Sequence, residues 1–204
     1  MSVQEWIVAE RASCQAIWCY IEEADFCVCV PNKNGGTSYR KAFADKSSWE
    51  SSKLVPFMME FYAKGHGPFS AKELMFRFPD KPHYLVVRHP VDRFGSLWRN
   101  KCRDRLGSPY AIHGMNPDQL IGFIEENPEY DRHVLRQSDY LTEKTYPIIL
   151  SDLMSILELL PERINRSVPT PSDPQMPKKR ILKHYAKDYE LWSRTQDDIR
   201  LQMP

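Results

Sequence analysis

Phe26-Cys27-Val28-Cys29-Val30-Pro31-Asn32-Lys33-Asn34-Gly35-Gly36-Thr37-Ser38 is the stretch whose reading decides the fold. Its first five residues form a short apolar run between Asp25 and Pro31. Such a run predicts a strand buried on both faces, as strands of parallel sheets are. A polar loop follows from Asn32 to Thr37, and a helical stretch is expected from about Ser38 to Ala44. Glycines let successive backbone N–H groups turn toward one point. A helix start adds unsatisfied donors and the positive end of its dipole. Thr37 and Ser38 can add hydroxyl donors, and Lys33 a full charge. Together these groups suit a phosphate or a sulfate. The lysine precedes the glycines, so the segment is not a Walker A loop, which places its lysine after them. On its own, the segment is read equally well as a Gly-Gly turn with a solvated lysine.

Working outward, a second strand is expected at Tyr84-Leu85-Val86-Val87 and a third at Ile148-Ile149-Leu150. The second runs into Arg88-His89-Pro90, with a helix from about Pro90 to Arg103. Asn116-Pro117 has the form of an N-cap followed by proline at the first helical position. That helix should end near Asn127-Pro128. Ser151 can cap a helix that ends near Pro161. Residues 1–23 form an N-terminal segment read as helical over 3–23, with Trp6, Ile7, Ile17 and Ile21 as candidate core positions. Residues 50–64 also read as helix. The segment 161–177 holds five prolines and reads as an extended loop with room for a lid or binding role. Lys178-Lys179-Arg180 then leads into a last helix to about Trp192. Strands alternating with helices imply an α/β fold around a parallel sheet, with ligands beyond the carboxyl ends of the strands.

The second constellation is Arg88-His89-Pro90-Val91-Asp92-Arg93-Phe94-Gly95-Ser96-Leu97-Trp98. Arg88 sits where the second strand ends. On the helix that follows, Asp92, Ser96, Arg99 and Arg103 share one face, and Val91, Phe94 and Trp98 share another that should be the core face. Arg88 and Ser96 can converge on one anion, a bidentate cation and a hydroxyl. Taken alone, this is also the pattern of a surface helix with a salt-bridged arginine. Two such elements at one sheet edge imply a ligand with two separated anionic groups.

Composition bounds the partners. The chain has 204 residues, with 28 basic and 27 acidic side chains. That balance argues against general nucleic-acid binding but allows a local basic pocket. The five cysteines have irregular spacing and form no CxxC pair, so no structural zinc site is expected. Free thiols in a reducing compartment are the simplest reading. No run of about 18 apolar residues occurs, and the N-terminus lacks the pattern of a signal peptide. No membrane partner and a cytoplasmic location are therefore expected. The length suits one domain over residues 1–204.

With both constellations in hand, the sequence resembles the PAPS-dependent sulfotransferases, in particular the carbohydrate-type family with Golgi and bacterial members. PAPS is 3′-phosphoadenosine 5′-phosphosulfate. Lys33-Asn34-Gly35-Gly36-Thr37-Ser38 matches the family's 5′-phosphosulfate loop. Arg88, Pro90, Arg93 and Ser96 match its R-x-P-x-x-R-x-x-S motif for the 3′-phosphate. Softer likenesses lie in His133–Leu141 and in Tyr185-Ala186-Lys187-Asp188-Tyr189-Glu190-Leu191. Many relatives have proline directly before the lysine, where Asn32 stands here, and aspartate in place of His89.

The resemblance implies a three-layer α/β sandwich with a central parallel sheet, similar to P-loop nucleotide hydrolases. It also implies transfer of a sulfuryl group from PAPS to a hydroxyl acceptor, a carbohydrate or a small molecule, with 3′,5′-ADP as product and no metal. Lys33 would stabilise the departing oxygen, and the N–H groups of Gly35 to Ser38 would hold the 5′ end. Arg88 and Ser96 would hold the 3′-phosphate. His66, in Gly65-His66-Gly67-Pro68, is the first choice of base, with Glu60 as the fallback. Lys178, Lys179 and Arg180 could close over the nucleotide or the acceptor, or form a solvated basic turn. Two other readings stay open: a nucleotide kinase on a related phosphate-binding fold, and a protein that binds PAPS or its product without catalysis.

Overall fold

The computed structural model describes residues 18–21, 25–31, 33–34, 75–104, 110–130, 133–141, 144–156 and 169–202. The helices expected over 38–44 and 50–64, and most of segment 1–23, lie outside these residues. The described residues gather into two compact units. One holds the sheet; the other holds Arg88–Asp139 and the C-terminal helices.

The sheet has the order β1-β2-β3-β4, from Trp18–Ile21 (β1), Phe26–Cys29 (β2), His83–Val87 (β3) and Thr145–Ile149 (β4). β2 pairs with β3 and β3 with β4 in parallel, with Cys29 opposite Leu85 and Val87 opposite Ile149. Successive side chains of a strand point to opposite faces. All of Phe26–Val30 is nevertheless buried, so both faces of β2 are covered, as its apolar run requires.

Two expectations need correction here. Residues 18–21 are strand rather than helix, and β1 runs antiparallel to β2, so the sheet is mixed. Trp18-Cys19-Tyr20-Ile21 is aromatic and β-branched, which suits a pleated strand. A spacing of four, such as Ile17 to Ile21, puts two residues on one face of a strand as well as of a helix. The third expected strand lies earlier than its apolar residues suggested. It starts at Thr145, and Leu150 already opens helix α3 (Leu150–Ile156). Ser151 therefore lies inside the first turn, not at the cap. The helix buries Leu153 completely and packs on β3 and β4.

The second unit begins with α1 (Pro90–Trp98), whose first turn is capped by the His89 ring: Nδ1 accepts from the Val91 N–H at 3.3 Å. Val91, Phe94, Leu97 and Trp98 are buried and Asp92 is exposed, as the spacing predicts. The helix continues as a wider π turn over Arg99–Arg103, where the Asp104 N–H reaches the Arg99 carbonyl at 2.8 Å. Helix α2 (Pro117–Glu126) carries the expected Asn116 cap, closed reciprocally by Gln119, and stops at Asn127. It buries Leu120, Ile121 and Ile124 in the core shared with α1.

The single last helix expected from the basic run is two, α4 (Lys178–His184) and α5 (Ala186–Gln202). Tyr185 leaves helical geometry between them, with φ −102 and ψ 37. Its buried hydroxyl donates to the Val134 carbonyl at 2.8 Å, and burial pushes the phenol pKa up. Arg180 lies across α2 beside Gly122, where a Cβ would come within 3.1 Å of its guanidinium. From there it donates to Glu125 at 2.6 Å and to the Asp118 carbonyl at 3.3 Å.

His83 is fully buried in β3, with Nε2 3.3 Å from the Phe78 carbonyl. Burial disfavours the imidazolium and lowers its pKa below the ordinary 6.5. The unfolded chain then takes up the proton first, so the His83 contribution to stability is complete above pH 6.5 and lost as pH falls below it. His184, lowered by burial in the same direction, adds to the effect. Urea midpoints measured between about pH 8 and pH 5 should fall on acidification. His83→Gln should flatten that slope; an unchanged slope assigns it to other groups.

Candidate functional site

Beyond β2 the chain turns at Pro31–Asn34, where the Asn34 N–H donates to the Pro31 carbonyl at 3.0 Å. Lys33 occupies the third position of this turn with φ 70. That is left-handed backbone, which glycine and asparagine adopt readily and which costs other residues about 1 kcal/mol or more. Something must hold it. Asn34 is buried, and its Nδ2 donates to the Val86 carbonyl at 2.6 Å. The turn is thereby tied to the end of β3. Because β2 and β3 are parallel, the turn sits at the carboxyl edge of the sheet, the edge where ligands collect in α/β folds. Asn34, expected as a ligand, spends a side-chain donor on anchoring this turn. Gly35, Gly36, Thr37, Ser38, Glu60 and His66 lie outside the described residues.

Arg88 follows Val87 directly and opens the helical unit. Its backbone is held on both sides by one side chain. The Arg88 N–H donates to Gln137 Oε1 at 2.8 Å, and the Arg88 carbonyl accepts from Gln137 Nε2 at 2.9 Å. A side-chain amide thus takes the place that a neighbouring strand would fill. Gln137 is itself fixed. It opens a single 3-10 turn, Gln137–Tyr140, whose first N–H groups have no partner within the turn. Asp188, fully buried near the start of α5, supplies both acceptors: the Gln137 N–H at 2.8 Å and the Ser138 N–H at 2.9 Å. A buried carboxylate demands such donors, since without them its burial would be prohibitive.

Helix α5 reaches the same segment a second time. The His89 ring stands edge-on to Trp192 at 4.7 Å and to Tyr189 at 5.7 Å. Ser96, the second expected 3′-phosphate ligand, lies half-buried on α1 in the same unit as Arg88. Arg93 is turned inward, 3% exposed, among Pro90, Phe94, Leu97, His133 and Tyr185.

The other arginines of α1 and its π turn have local partners. Arg103 donates to Asp173 at 2.7 Å, and Arg99 approaches the same carboxylate at 3.7 Å. Thr170 donates to Asp173 as well, at 2.7 Å. Burial works against the Asp173 charge, but the bonds from Thr170 and Arg103 outweigh it and hold its pKa below the usual carboxylate value. The expected Pro-rich loop is thus clipped, through residue 173, to the end of α1. Burial pushes the Cys102 thiol up to about 12, which makes it inert as a nucleophile. Among the described residues no cluster of histidine, cysteine and carboxylate side chains is placed to hold a metal ion. No described helix is long and apolar enough to cross a membrane.

Gln137 and Asp188 carry this arrangement, and sequence reasoning gave neither a role. The only available signal was the soft likeness of the two segments that contain them. Asp188→Asn keeps the shape but turns an amide N–H₂ toward a buried N–H donor. It should lower unfolding free energy by about 1.5–3 kcal/mol, the scale of a hydrogen bond to a buried charge. Urea denaturation at neutral pH reads the loss; a change within error would show that the two N–H groups find other acceptors.

No curated protein and no solved structure matches the chain. The model of the sulfotransferase family matches residues 13–198, a span that takes in the strained Lys33 turn, the Arg88–Ser96 segment and the Asp188 anchor, and the chain belongs to that family.

Proposed function

We propose that the protein moves a sulfuryl group from PAPS to a hydroxyl on a carbohydrate or small-molecule acceptor. The observation that carries this reading is Lys33, held left-handed by a buried asparagine at the carboxyl edge of a parallel sheet. Strain of this kind persists where the surroundings over-determine it and clusters at ligand sites. It falls here on the lysine that the family's loop motif singles out. Burial of β2 on both faces, with β2, β3 and β4 parallel, supports a three-layer, P-loop-like architecture, and the family match over residues 13–198 supports reading residues 1–204 as one sulfotransferase-like domain. The buried free thiols of Cys27, Cys29 and Cys102 fit a reducing compartment such as the cytoplasm.

In this reading PAPS supplies an activated sulfuryl group on its 5′-phosphate. The acceptor oxygen attacks sulfur in line, an O–S bond forms, and the bond from sulfur to the 5′-phosphate oxygen breaks with its electron pair going to that oxygen. Lys33 offsets the charge that builds there, together with backbone donors of Gly35, Gly36, Thr37 and Ser38. His66 takes the proton from the acceptor hydroxyl, with Glu60 as the alternative base. Arg88 and Ser96 hold the 3′-phosphate, which separates this donor from ATP.

Lys33→Ala should lower turnover by about two to three orders of magnitude, as loss of a transition-state donor does. Full activity in that variant would remove Lys33 from the chemistry. Calorimetric titration without magnesium should give tight binding of 3′,5′-ADP and weak binding of 5′-AMP. Arg88→Ala should erase that preference, and unchanged affinity for 3′,5′-ADP would contradict the assignment. His66→Ala should abolish transfer while nucleotide still binds; normal turnover moves the role to Glu60.

A further inference from the structure

We propose that Gln137 is a positioning residue for the donor site: helix α5, through Asp188, Gln137 and the His89 ring, presets the backbone from which Arg88 reaches the 3′-phosphate. The inference rests on the reading of Arg88 as the 3′-phosphate ligand.

An arginine side chain is long and loses rotamer entropy when it binds. Its contribution to affinity therefore depends on how well the launch point is fixed beforehand. Arg88 stands where β3 ends, so strand pairing does not continue to hold it. Both of its backbone polar groups are instead taken by the Gln137 amide, at 2.8 and 2.9 Å. Such a pair of bonds fixes the peptide planes on either side of the Arg88 Cα. Gln137 can serve as a rigid clasp only if its own backbone cannot move, and Asp188 secures that from a fully buried position. The next residue is braced separately. His89 caps α1 with Nδ1 and packs edge-on against Trp192 and Tyr189, which share helix α5 with Asp188. Two independent contacts from one helix thus converge on consecutive residues of the 3′-phosphate segment. A role confined to stability would need neither a bidentate grip on this peptide nor a second brace beside it.

The test is a comparison of affinities for 3′,5′-ADP and 5′-AMP by calorimetry on the full chain. Gln137→Met preserves volume and removes both bonds. It should weaken 3′,5′-ADP binding about 10–100-fold, the scale of supporting residues behind a ligand contact elsewhere, and leave 5′-AMP binding unchanged. In an Arg88→Ala background the same change should have no further effect, because the residue it positions is gone. Equal losses for both nucleotides, or the same loss with and without Arg88, would reduce Gln137 to a structural role and overturn the inference. Trp192→Leu, at a half-buried site, provides the same comparison if Gln137→Met does not fold: preserved preference for the bisphosphate in that variant overturns the inference as well. If the unaltered protein binds both nucleotides alike, the donor-site reading itself fails. A wild-type preference that survives Gln137→Met defeats only the positioning role.

Discussion

A single buried carboxylate organises the helical unit. Asp188 has no exposed surface, and an ionised carboxylate in such a place is tolerated only with donors on both oxygens. It finds them on the consecutive N–H groups of Gln137 and Ser138, the orphaned start of a 3-10 turn. The turn and the helix satisfy one another, and neither arrangement is economical alone. Because the Gln137 side chain then closes on Arg88, the backbone geometry of the Arg88 segment depends on a residue near the C-terminus, 100 positions along the chain.

The sheet unit uses the same physics at a smaller scale. The Pro31–Asn34 turn places Lys33 in a conformation that the lysine itself disfavours. The buried Asn34 amide, bonded to the Val86 carbonyl, offsets that preference. In both units a buried polar side chain fixes backbone at the end of a strand, Asn34 in one and Gln137 in the other, and of these only Asn34 was expected as a ligand. Ligand and anchor are hard to separate from sequence, because both need polar groups near the end of a strand. The anchors Asn34, Gln137 and Asp188 are buried, whereas Lys33, Arg88 and Ser96, the residues proposed as ligands, keep part of their surface accessible.

The arginines after Arg88 divide in a related way. Arg93 turns into the interior, and Arg99 and Arg103 meet Asp173 of the Pro-rich loop. Of the helical face that carries Asp92, Ser96, Arg99 and Arg103, the two arginines are thus engaged by the loop, which helical periodicity alone did not announce. Arg180, part of an exposed basic run, binds Glu125 across α2, a surface pair of the kind worth about 1 kcal/mol or less.

The sequence by itself determined the parallel core strands, the capped helix at Asn116, the core face of α1 and the two motifs that mark the family. The first three follow from local chemistry: apolar runs at strand length, an asparagine cap followed by proline, and a 3.6-residue stripe; the motifs were read from their likeness to the family. It misread residues 18–21, where a spacing of four fits strand and helix alike, and the start of β4, where Thr145 and Tyr146 belong to the strand although Tyr146 is exposed. It also merged α4 with α5, because nothing local announces that Tyr185 will leave the helix to meet Val134. Only the tertiary structure decided which polar residues anchor the backbone of another segment. That choice depends on burial and on partners about 50 residues away, as with Asn34 and Val86, Arg88 and Gln137, and Gln137 and Asp188. No local pattern encodes such pairings, since they exist only once the chain has closed on itself.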